Sequence, residues 1–250
     1  SYEAMGDRIV EGIFGQGDGS IIPGMWGLEA GQSAFGDAYA WFKDLLSWPL
    51  GILEDEFGLS ADRRAQMESA ILHSLTEDAL QIGHSQSNVL ALDWLNGRRT
   101  PWTDPDLKGA FLGLTLGSDA PRLFKALVEA TIFGSKAIIE QFKRYHVPID
   151  EVIALGGIAD KNPLVLQVMA DVLDMPVKTV HPSQAVALGA AMFGAVVAGL
   201  FPDVKEAQKI MGGKDKLVVQ PNPAHVPHYE ALYQKYLDVG KTLEDALRKL

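Results

Sequence analysis

Ala154-Leu155-Gly156-Gly157-Ile158-Ala159-Asp160-Lys161-Asn162-Pro163 is the stretch from which the rest of this 250-residue chain can be read. The short apolar run Glu151 to Leu155 predicts a buried strand, and the apolar spacing of Leu164 to Leu173 predicts a helix. Two adjacent glycines at a strand end let the backbone approach a flat or charged group with no Cβ in the way. A helix beginning just beyond adds free N–H groups and the positive end of its dipole. Strand, glycine pair and helix start together describe a nucleotide pocket at the carboxyl edge of a sheet. The same residues also fit a tight strand-to-helix turn with no ligand, so the surrounding sequence has to decide.

Composition narrows the choice. The formal net charge is -10 and there is no basic cluster, which argues against a nucleic-acid-binding surface. The absence of cysteine excludes disulfides, zinc thiolate sites and thiol nucleophiles, and it fits a cytoplasmic setting. Ser1 to Val10 carries acidic residues and no apolar core, unlike a secretory signal. Ala185 to Phe201 is free of charge, but it is short for a membrane span and has no closely flanking Lys or Arg. Its alanines and glycines predict a helix buried in the core, packed on most sides.

Outward from the focal stretch, Glu11 to Gly19 predicts a strand entering a glycine-rich turn, with Ser20 to Trp26 continuing extended. Ala38 to Leu46 has helical spacing and should stop at Trp48-Pro49. Residues 51 to 88 are charged, with modest amphipathic periodicity, and read as a helical insertion on the surface. Val89 to Asp93 and Gly109 to Leu116 read as extended. Ser118 or Asp119 can cap a helix from Arg122 to Tyr145. Val177 to Val180 predicts another strand, and Phe201 to Met211 and His228 to Leu250 predict helices. Alternating strands and helices in the second half predict an α/β fold with a mixed, mostly parallel sheet and helices on both faces. The expected division is a domain over residues 1–201 and a helical tail, 202–250, packed on it.

Four blocks in fixed order carry a family resemblance: Gly27 to Asp37, Asp93 to Arg99, Gly109 to Gly134, and Gly156 to Asn162 with Ala187 to Ala191. Together they resemble the C-terminal domain of the FGGY family of carbohydrate kinases, its L-ribulokinase branch most of all. The resemblance implies an actin-like ATPase (RNase H-like) fold whose two domains close on ATP, Mg2+ and a ketopentose, L-ribulose. It implies Gly31, Gly156, Gly157 and Lys161 at the nucleotide, Lys161 standing where several relatives carry an Asn. Glu29 would meet a hydroxyl of the sugar; as a residue beside a helix start it also suits the dipole alone. The family's general-base aspartate would lie before Ser1, so no catalytic residue and no metal ligand is assigned in this chain.

Other candidates read more simply. Asp18, Asp104 and Asp106 suit turns, and Arg98 and Arg99 suit a solvated or carboxylate-paired turn. His225 and His228 flank a proline that breaks the spacing of a two-histidine metal pair. Gly156-Gly157 lacks the pattern of a dinucleotide-binding loop. A non-catalytic actin-like module that binds sugar or nucleotide is the competing function, and assembly as a homodimer stays open.

Overall fold

The computed structural model describes residues 5–6, 8–83, 87–157, 162–180, 184–213 and 215–250. It begins with a hairpin in which β1 (Gly15–Asp18) and β2 (Trp26–Glu29) pair antiparallel, Gly15 opposite Glu29. Residues 20–25 reverse direction instead of continuing extended. Gly19 and Gly24 make the reversal possible, with φ of 66° and 75°, and the Gly19 N–H donates to the Met25 carbonyl at 2.9 Å.

Helix α1 (Gly36–Phe57) runs past the expected stop and contains Pro49. A proline here leaves the Leu45 carbonyl without its helical donor. Leu45 and Trp48 are 56% and 72% exposed, so that turn faces water, which can take the donor's place. The helix ends at Gly58 in the left-handed conformation. Helix α2 (Ala61–Gln81) starts at Ser60, whose side chain accepts the Arg63 N–H. It packs on α1 and buries Leu75, Thr76 and Ala79.

β3 (Leu90–Leu92) and β4 (Ala110–Leu112) pair antiparallel. They lead to α3 (Ala120–Arg144), capped by Asp119, which accepts the Arg122 N–H. Every residue of α3 from Phe124 to Gly134 is buried. A helix apolar on one stripe only could not sit this way; α3 is enclosed by α1, α2 and β3 and by two helices further along the chain. Phe124 stacks on Phe42 of α1 and meets Tyr39 edge-on, with ring centroids 6.2 and 5.7 Å apart.

The second half holds the parallel pair. β5 (Val152–Ala154) and β6 (Val177–Val180) are joined through α4 (Pro163–Leu173). Helix α5 (Ala185–Val197) corrects the sequence expectation of a buried core helix. Met192 is its one buried residue, while Val186 and Val197 are 85% and 90% exposed. Its small residues do not mark close packing: a Cβ at Gly189 or Gly194 would meet nothing within 4 Å. The helix packs chiefly against α6 (Val204–Met211). β7 (Asp215–Val219), which the sequence pattern did not reveal, then pairs antiparallel with β6. Helix α7 (Val226–Leu247) closes the chain by burying Tyr229, Tyr233, Tyr236 and Leu247 against the core around α3. Among the described residues no helix is long and apolar enough to cross a membrane.

Candidate functional site

The glycine pair sits where its sequence placed it, directly after β5. Gly156 has φ of 93°, a conformation that side-chain-bearing residues rarely adopt. Asn162 then caps α4: its Oδ1 accepts the Val165 N–H at 3.2 Å, and Pro163 occupies the first turn. Gly157 and Asn162 form one wall of a cleft of about 660 Å³. The facing walls come from α1, with Gly36, Tyr39, Ala40 and Lys43, and from α2, with Ser69, Leu72, His73 and Thr76. A cleft of this size can take a drug-sized ligand such as a nucleoside. Its lining mixes small, apolar and hydroxyl groups, and the start of α4 presents the positive end of a helix dipole.

A second cavity, of about 100 Å³, lies behind the loop that leads into α1. Asp93 lines it, buried, with its carboxyl raised above the ordinary carboxylate range by that burial. Tyr236 donates to Asp93 Oδ1 at 2.7 Å and Gln32 Nε2 donates to Oδ2 at 3.0 Å. The Gln32 amide also donates to the Thr131 carbonyl at 2.7 Å and accepts from Ser135 Oγ at 2.7 Å. Gly134 is what lets these groups meet, because a Cβ there would collide with Gln32 Nε2 and Asp93 Oδ2. The Gly31 N–H donates to Thr100 Oγ1 at 3.3 Å, on the rim of this network.

The residues proposed from sequence therefore divide. Gly157 lines the large cleft beside Gly156. Gly31 belongs to the loop held by the Gln32–Asp93 network. Glu29 ends β2, with a side chain 72% exposed and 3.8 Å from Arg99, over an open groove along the hairpin. Lys161 lies outside the described residues. The simpler readings of the charged turns agree with the structure: Arg98 pairs with Glu244 and Asp104 with Arg248. His225 pairs with buried Asp171 at 2.9 Å. Among the described residues no group of three or more His, Cys, Asp or Glu could hold a metal. Among the described residues the cleft lining contributes one carboxylate, Glu68, already paired with Arg64 at 2.8 Å.

Sequence reasoning missed Thr76, Tyr39 and the part played by Asp93. Asp93 had a signal, an ionisable residue closing the apolar run Val89 to Leu92. Thr76 had none, because its partner lies 86 residues away.

The cleft beside a glycine turn, between a βαβ unit and two long helices, marks an α/β domain with room for a ligand. The sequence profile of the C-terminal domain of the FGGY family of carbohydrate kinases matches residues 6–198, and the chain belongs to that family. Among its relatives is the ribulokinase of Vibrio parahaemolyticus, 44% identical over 96% of this chain and 42% of that protein. The ribulokinase of Halalkalibacterium halodurans is 39% identical over 98% of this chain and 43% of that protein. The chain thus spans less than half the length of these relatives. The xylulose kinase of Rhodospirillum rubrum superposes with a TM-score of 0.70 at 22% identity, over 90% of this chain and 41% of that one. That likeness is one of fold.

Proposed function

We propose that this chain is the nucleotide-holding half of an ATP-dependent ketopentose kinase that forms L-ribulose 5-phosphate from L-ribulose. The carrying observation is the cleft of about 660 Å³ in which Gly157 and Asn162 face α1 and α2. The names of the relatives, both ribulokinases, support the choice of sugar. In this reading adenosine lies against Gly156-Gly157, with Lys161 and Gly31 beside the nucleotide. Glu29 reaches a hydroxyl of the ketose. Phosphoryl transfer needs chiefly positioning and electrostatic stabilisation, which backbone amides and the α4 dipole can supply without a reactive side chain. Bound Mg2+ would arrive on the nucleotide phosphates and neutralise their charge, as is usual for that ion. The base that deprotonates the sugar would belong to the portion that the longer relatives have and this chain does not span. A cytoplasmic place in L-arabinose breakdown follows from that activity, with two copies assembling where the kinase is dimeric.

The test compares Gly157→Val with the unchanged protein. The substitution should weaken ADP binding at least tenfold by calorimetry while leaving the far-ultraviolet spectrum unchanged; equal affinity would overturn the site. A coupled ADP-release assay with L-ribulose should show turnover in the full-length kinase and none from these 250 residues. Binding without turnover in the full-length protein would favour the non-catalytic module.

A further inference from the structure

The cleft has two sides that are distant in sequence, and one side-chain hydrogen bond joins them. Asn162 Nδ2 donates to Thr76 Oγ1 at 3.2 Å. The direction of this bond is fixed at both ends. Asn162 Oδ1 is already committed to the Val165 N–H, so flipping the amide would lose the cap. Thr76 Oγ1 donates its own proton to the Leu72 carbonyl at 2.7 Å, which leaves only its lone pairs for Asn162. Thr76 is 5% exposed, so little water is at hand to replace Asn162 as the donor to its hydroxyl. Both residues line the cleft, as Gly157 does, and their bond marks where α2 and the start of α4 meet.

We infer that Thr76 and Asn162 are positioning residues for the nucleotide: their hydrogen bond pins α2 to the start of α4 and sets the width of the cleft at Gly157. This rests on the reading of the cleft as the ATP site. Neither residue needs to touch the phosphoryl group. Their effect is on how closely α2 stands to the glycine turn, and therefore on affinity rather than on the chemical step. In kinetic terms they belong to uniform binding, which moves KM and spares kcat.

The variant Asn162→Asp separates the two jobs of this side chain. Aspartate is as good a helix cap as asparagine, but it brings no donor to Thr76. Thr76→Val removes the acceptor with little change of shape, and Thr76→Ser restores it. In the full-length kinase, N162D and T76V should each raise the ATP KM about three- to tenfold, the equivalent of one net hydrogen bond. Their kcat and sugar KM should stay within about twofold. T76S should match the unchanged protein, and the double variant should be no worse than either single one. A purely structural role would lower the melting temperature of T76V and leave its ATP KM where it was; that result, or additive effects in the double variant, overturns the inference. Should N162D misfold, T76V against T76S makes the same comparison. The underlying reading fails separately: if Gly157→Val also leaves nucleotide affinity intact, the cleft is not the ATP site.

Discussion

Glu129 is buried on α3 beside Lys125 and Tyr229, with His228 and Lys235 of α7 lining the same cavity. Burial raises its carboxyl from 4.5 to about 7, against the pull of Lys125 and a hydrogen bond with Tyr229. Burial also lowers the Lys125 ammonium, which donates to the Ile82 carbonyl at 2.6 Å. Between these pH values the folded chain holds a proton that the unfolded chain has released. Stability should therefore fall as pH rises from 4.5 towards 7, by at most about 1.4 kcal/mol per pH unit from this group. Glu129→Gln should flatten that slope in urea denaturation across the same window; an unchanged slope would assign the dependence to another group. In the sequence Glu129 was one matched position in a family signature. Its burial depends on α7, a helix a hundred residues further on, which local pattern could not supply.

Helices show where periodicity informs and where it misleads. The spacing of Leu123, Leu127, Ala130 and Phe133 announced α3, and Asp119 its cap, because caps and stripes are local properties. Pro49 gave a false stop, since the rule against interior proline weakens where the freed carbonyl can reach water. α5 gave a false core: an uninterrupted apolar run says that a helix can be buried, and its neighbours decide whether it is. Val197→Lys should then change the unfolding free energy by no more than about 0.5 kcal/mol, as at ordinary surface positions. A loss of about 2 kcal/mol or more in the same urea titration would return α5 to the interior. β7 escaped notice because it pairs at one side of β6 and leaves Leu217 and Val218 half exposed, so neither a buried run nor a clean alternation marks it.

At the scale of the molecule, order of motifs carried more than any motif alone. Gly156-Gly157 by itself fitted an empty turn. The four blocks in sequence gave the fold class, and the structure supplied α1 and α2 as the walls facing the turn. What stayed illegible were the long-range pairs, Asn162 with Thr76 and Asp93 with Tyr236, because side-chain partners in space leave no spacing to read. The second of these pairs makes residues 221–250 part of the core rather than an appendage. Deleting them removes three buried tyrosines and Leu247 as well as the donor to Asp93. The shortened chain should lose its cooperative urea transition, since total stabilities are only about 5–15 kcal/mol. A sharp transition at an unchanged midpoint would show α7 to be dispensable. The Tyr236–Asp93 bond also has a meaning in time. It closes across 143 residues, and α7 leaves the ribosome after every other member of the network. Until Tyr236 emerges, the carboxylate that Gln32 leans on has an empty place at Oδ1. The loop leading into α1 is thus made well before the helix that secures it, so that a nascent chain stalled before Val226 is the form most open to proteolysis there.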